Sequence, residues 1–169
     1  MTTVTVDTSI FSDDLRAVLE PNGFSFAAVT VTERELTGHH LAVGLQHLSS
    51  VPEVAVWGES TWGSGLWGGP SEGACFEDLL RLIGNGSFPP SGKRDNLTAG
   101  QRHQLRDAMI FCAHVHAGRD IFLTDDRKAF VKHGRREKLE AAYKTRIMTQ
   151  DEFVTEFIRE PCPTSRCSR

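Results

Sequence analysis

Three acidic positions in the chain stand where apolar runs end or begin, and acids so placed suit metal chemistry. Asp7 closes the β-branched run "TVTV", Asp107 lies in the first two turns of the amphipathic stretch "QRHQLRDAMIFCAHVHAG", and the pair Asp125 and Asp126 follows "IFLT". If the two short runs are parallel strands, their carboxyl ends share one sheet edge, where ligands of such sheets gather. Asp107, in the helix that leads into "IFLT", should start near that edge too. Carboxylates brought together without cations repel and raise one another's pKa. A hard divalent ion relieves the conflict: Mg²⁺ or Mn²⁺ takes oxygen ligands, keeps waters, and can act on a phosphodiester. Singly, each acid has an ordinary explanation. Asp107 would favour a helix dipole, and Asp125 or Asp126 would cap the next helix. Their joint placement is what points to a metal site.

The elements that must position these acids alternate between strand and helix patterns. "TVTVDTSIF" reads as a strand ending near Asp7, and "SDDLRAVLE" as a helix capped by Ser12 and stopped at "PNG". "FSFAAVTVT" reads as a second strand, "ERELTGHHLAVGLQHL" as a partly helical stretch interrupted by two glycines, and "VPEVAVW" as a third short strand. "GESTWGSGLWGGPSEG" is a glycine-rich loop holding Trp62 and Trp67, with Trp57 directly before it, and "ACFEDLLRLIGNG" is a helix with a glycine stop. In "QRHQLRDAMIFCAHVHAG", Leu105, Ala108, Met109, Cys112 and Val115 recur at helical steps before Gly118. "DIFLT" is then a strand, "DRKAFVKHGRREKLEAAY" a basic helical stretch broken near Gly134, "TRIMT" a last strand and "TQDEFVTEFI" a capped helix. This alternation predicts an α/β fold with a parallel sheet.

Composition bounds the rest. A chain of 169 residues is most simply one domain. No apolar run approaches the roughly 18 residues of a membrane span, and the start "MTTVTVDTSIF" lacks a basic flank and cleavage site, so the expected location is cytoplasmic, with no membrane partner. Four cysteines without a C-x-x-C pair suit reduced thiols. The net charge of −3 hides an asymmetry: residues 91–146 carry 13 basic and seven acidic side chains. A basic region around a few acids suits a polyanion held near metal-binding carboxylates, although a solvated helix face has the same composition. "GESTW" departs from the nucleophile elbow at Trp62, and the histidines His39, His40, His47, His114 and His116 make no H-E-x-x-H zinc pattern. Phosphatases of the haloacid dehalogenase type need D-x-D after the first strand, whereas Thr8 and Ser9 follow Asp7.

On "VTVDTSIF", "AAVTVTERE", "LRDAMIFCA" and "IFLTDD", together with the closing "TRIMTQDEF", the chain resembles the PIN-domain nucleases from about Thr3 to Phe157. The resemblance implies a three-layer α/β/α sandwich with a central, mainly parallel sheet over residues 1–158, an insertion around 58–100, and a tail at 159–169 that reads as disordered. It implies a metal-dependent ribonuclease hydrolysing RNA with Mg²⁺ or Mn²⁺ held by Asp7, Asp107, Asp126 and a fourth acid. Ser9 and Thr124 are the supporting hydroxyls, and Asp126 fits the T-x-D spacing better than Asp125. The fourth acid is Glu33, with Glu35 beside it, if "FAAVTVTE" is the second strand, and Glu59 if "VAVWGES" is. The first reading leaves "VPEVAVW" free as the third strand. Arg127, Lys128, Arg135 and Arg136 would grip the RNA backbone. Many small bacterial members are toxins covered by an antitoxin, and many dimerise, so an antitoxin-like protein and a second copy are the protein partners implied. A PIN-like scaffold that binds RNA or a protein without cutting is the alternative.

Overall fold

The computed structural model describes residues 1–12, 19, 23–60, 63, 65–66, 69–84 and 86–158. The expected helix of "SDDLRAVLE" beyond Ser12, the indoles of Trp62 and Trp67, and the tail with Cys162 and Cys167 lie outside the described residues. Five strands form one parallel sheet: β1 (Thr2–Val6), β2 (Phe24–Val29), β3 (Ser49–Val51), β6 (Ile121–Leu123) and β7 (Arg146–Met148), in the order β3-β2-β1-β6-β7. A separate parallel pair joins β4 (Glu53–Val54) to β5 (Gly65–Leu66).

The register carries the carboxyl ends to one edge. Val6 pairs with Ala28 and Leu123, and Leu123 with Met148, so Asp7, Thr124 and Thr149 each begin the chain beyond it. Successive strand residues pack to opposite sides. Ala27, Val29, Phe122 and Ile147 belong to one core with Phe76, Leu79, Met109, Phe111 and Leu139. Val4, Val6, Ala28, Leu123 and Met148 belong to the other, with Ile10, Leu36 and Phe153. A sheet covered on both faces favours apolar side chains in its middle, and here Val4, Val6, Ala27, Ala28, Val29, Ile121, Phe122 and Leu123 are buried, with Thr5 buried among them. The arrangement is an α/β fold compatible with three layers.

Helix α1 (Thr30–Leu36) begins inside the stretch whose β-branched residues predict strand. Tertiary contacts override that preference. Thr30 Oγ1 accepts from the backbone N–H of Glu53 at 3.0 Å, and Val31 and Thr32 are buried as helical residues. The third strand of the sheet is Ser49–Val51 and not the whole of "VPEVAVW", because Pro52 has no N–H with which to continue the ladder. Helix α2 (Pro70–Ile83) starts before "ACFEDLL", with proline in its first turn, where no N–H is needed. Gly84 ends it at a close approach: a Cβ there would stand 2.9 Å from the carbonyl oxygen of Leu80.

Helix α3 (Ala99–His116) opens with a reciprocal capping box between Thr98 and Gln101, and its apolar face fills the first core. After β6, a π-helical turn (Arg127–Val131) and a 3₁₀ turn lead to α4 (Arg135–Tyr143). The break falls at His133 and Gly134, both left-handed, with φ of 62° and 71°. Helix α5 (Gln150–Phe153) carries a second capping box, between Thr149 and Glu152. At the edge of the sheet, Glu140 accepts the N–H of Ile147 at 2.7 Å, which blocks that part of β7 to pairing with another strand.

Candidate active site

Asp7 leaves β1 at the centre of the sheet and is only 3 % exposed. Its Oδ2 accepts from Ser9 Oγ and from Thr124 Oγ1, each at 2.7 Å. The same two hydroxyls accept backbone N–H groups in turn, Ser9 from Asp125 at 2.9 Å and Thr124 from Asp126 at 3.1 Å. Two short side chains thereby tie the acid after β1 to the loop after β6. Burial holds the Asp7 carboxyl above the usual carboxylate range, the hydroxyl bonds counteract it, and the charge of Asp126 adds to the rise.

The adjacent pair Asp125 and Asp126 divides its work. Asp125 is exposed and its Oδ1 accepts the N–H of Gln150 at 3.1 Å, at the start of α5. Asp126 caps the π-helical turn by accepting the N–H of Ala129 at 2.8 Å. Capping therefore occupies one oxygen of Asp126 while its charge still bears on Asp7 and Asp107. Asp107, on the third turn of α3, has no hydrogen-bond partner for its carboxylate among the described residues. Burial first, and then the charges of Asp7, Asp126 and Glu35, push its pKa up to about 8.

Glu35 is the glutamate of α1 that reaches this group. Thr32 and Glu35 lie on one helical face, and both meet Thr8: Thr8 Oγ1 stands 2.7 Å from Glu35 Oε2 and 3.2 Å from Thr32 Oγ1. Glu33 points about 200° away around the helix and is not among the groups acting on Asp107. Glu59, 7 % exposed, is clamped by Arg102 at 2.6 Å and Arg106 at 3.2 Å. Arg106 also stands 3.5 Å from Glu35, so it links the Glu59 turn to the acidic group. Of the four expected RNA-gripping cations, Arg127 and Lys128 are exposed directly beside Asp126. Arg135 donates to the Lys128 carbonyl, and Arg136 pairs with Glu152 at 2.9 Å. Arg136 also lines a groove of about 540 Å³ with Glu140, Arg146, Asp151, Glu152 and Glu156, which none of Asp7, Asp107 or Asp126 lines.

Among the described residues, no three His, Cys, Asp or Glu side chains converge closely enough to hold a metal ion as they stand. Asp7, Asp107, Asp126 and Glu35 are near enough to repel and too far apart to share an ion without side-chain movement. The donor chemistry nevertheless fits a hard cation: the acids present oxygen, and among the described residues Arg106 approaches Glu35 while no arginine pairs with Asp7, Asp107 or Asp126. The chain matches no protein-family model and no curated protein.

The hydroxyl web gives a separable prediction. Thr124→Val keeps the shape but removes a donor to Asp7 and the acceptor of the Asp126 N–H. The loss of a partner for buried groups should cost roughly 1–3 kcal/mol, read as a lower urea midpoint with an unchanged slope.

Proposed function

We propose that the chain is a PIN-like ribonuclease that hydrolyses RNA phosphodiester bonds with Mg²⁺ or Mn²⁺. The observation that carries the reading is the gathering of acids at the carboxyl edge of the sheet, where Ser9 and Thr124 tie Asp7 to the Asp126 loop, Glu35 meets Thr8, and burial with these charges pushes the Asp107 carboxyl up. Such a group is unfavourable for the fold alone and suits a site that receives positive charge. Asp7, Asp107 and Asp126 would hold the ion, with Glu35 as the fourth acid. Chemistry supplied by the cation, when bound, is neutralisation of the carboxylates and polarisation of the phosphodiester. Ser9 and Thr124 fix the Asp7 carboxylate. Asp126 is held in place by its own cap, and Arg127 and Lys128 meet the phosphate backbone without reading sequence. The parallel sheet covered on both faces supports the PIN-like form of the fold.

The wide spacing of the acids favours a second reading, a PIN-like scaffold that binds RNA or a protein without cutting. One experiment separates the two. Mn²⁺ is titrated calorimetrically into the wild type and Asp126→Asn, and both are assayed on single-stranded RNA. Asn can still accept the Ala129 N–H, so the turn should survive. The nuclease reading expects binding and cleavage in the wild type and loss of both in the variant. A wild type that binds no Mn²⁺ makes the scaffold the better account.

A further inference from the structure

The indole of Trp57 is 85 % exposed and has no ring contact or hydrogen bond among the described residues. The turn that displays it is firmly held. Ser60 Oγ accepts the N–H of Val56 at 2.9 Å, and the Val56 carbonyl accepts the N–H groups of Glu59 and Ser60 at 3.1 and 3.0 Å. Gly58 takes a φ of 83°, a conformation that a side chain at this position would strain. Glu59 is then drawn inward onto Arg102 and Arg106, five residues and one residue ahead of Asp107 on α3. Because Arg106 also approaches Glu35, the mount of Trp57 is connected to the acidic group through two ion pairs. A large aromatic held outward on a fixed turn gains nothing from folding, yet it offers a flat face that any nucleobase can stack upon.

We propose that Trp57 is a stacking platform that positions an unpaired base of the RNA at this site. The inference rests on the nuclease reading and names a residue that positions the strand at that same site. A paired base within a duplex offers no free face to an indole at the surface, whereas a strand entering the acids from the Glu59 side can lay a base on it. Stacking tolerates every base, so Trp57 adds affinity and strand preference without sequence choice. The chemistry stays with the acids, and Trp57 positions the strand.

The test compares Trp57→Ala and Trp57→Phe, each placed in the Asp126→Asn background so that the probe is not cut. The probes are a fluorescein-labelled unstructured RNA oligonucleotide and the duplex of the same sequence. Expected is a roughly tenfold or greater loss of single-strand affinity in the alanine variant, the scale of one lost stack. The phenylalanine variant should retain most of the affinity, and duplex affinity should not change. With the acids intact, Trp57→Ala should raise KM for single-stranded RNA and leave kcat near the wild-type value. Unchanged single-strand affinity in Trp57→Ala overturns the proposal while cleavage by the wild type keeps the nuclease reading. Equal losses for duplex and single strand, or no single-strand binding by the parent, also overturn it. Binding that depends on Trp57 in a protein that never cleaves would sink the nuclease reading and leave the platform standing.

Discussion

Asp107→Asn is expected to make the cation-free protein more stable and catalytically inert at once. An unfolded aspartate ionises near 3.8, whereas burial and the neighbouring carboxylates push the folded Asp107 up to about 8. A carboxyl raised in this way contributes its full stability below pH 4 and loses it as pH rises toward 8. At pH 7.5 in chelator, the wild type should therefore carry a penalty that the neutral amide removes. Even after relaxation around the site, we expect a gain of about 2 kcal/mol or more, or roughly 4–8 °C in Tm for a chain of this size. Cleavage should fall at least a hundred-fold, on the order of the cost of losing a charge-stabilising group. Added Mn²⁺ should raise the Tm of the wild type increasingly between pH 6 and 8, because the ion displaces a proton, and should leave the variant unmoved. The decisive pair of measurements is a thermal melt with chelator and one with Mn²⁺. A variant less stable than the wild type at pH 7.5 would mean that Asp107 is an ordinary structural carboxylate.

That repulsion was partly legible in the residues. Asp7 and Asp126 follow strands whose ends share one edge of a parallel sheet whatever their exact length, whereas Asp107 lies in the middle of α3 and is brought there by the helix that leads into β6. The fourth acid is more sensitive. Reading β2 through Thr32 makes Glu33 the helix-leading acid, but α1 begins at Thr30, and three residues of helix turn the inward face by about 300°. Thr32 and Glu35 then meet Thr8. The signal available was the i, i+3 spacing of Thr32 and Glu35. What hid it was the β-branched run "VTVT", whose conformation is decided by a distant contact between Thr30 and Glu53. Glu59 was equally opaque: its partners Arg102 and Arg106 lie more than forty residues away in sequence, so no local pattern marks it as buried. The basic count between residues 91 and 146 also overstated the free charge, because Arg136 and Arg146 are paired with Glu152 and Glu156.

A second titration runs opposite to that of Asp107, and the two together shape the response to pH. His114 is fully buried between β1 and the start of β7, with Nδ1 2.9 Å from Thr5 Oγ1 and Nε2 2.6 Å from Thr145 Oγ1. Thr145 gives its own proton to the Asp120 carbonyl, at 3.1 Å, so it accepts from Nε2–H, and Nδ1 accepts from Thr5. The ring is thus neutral and fully bonded. Burial, reinforced by the Arg119 charge and opposed by Asp120, pushes its pKa down to about 3. A histidine lowered in this way contributes stability that is complete above pH 6.5 and is lost as pH falls toward 3. Between pH 5 and 6.5, His114 and Asp107 therefore act with opposite sign, each approaching about 1.4 kcal/mol per pH unit. Asp7, whose carboxyl is also raised by burial, acts with the same sign as Asp107, so the cation-free wild type should gain no stability between pH 5 and 6.5 and should weaken from pH 6.5 to 8, where His114 no longer opposes the acids. His114→Gln removes one of the two titrations while keeping a donor and an acceptor. Its unfolding free energy should rise as pH falls from 6.5 to 5, a slope that the double variant with Asp107→Asn reduces by the Asp107 contribution and that Asp7 alone then supplies. Urea unfolding of the four proteins in chelator measures these slopes, and parallel curves for wild type and His114→Gln would refute the assignment of a neutral, buried His114.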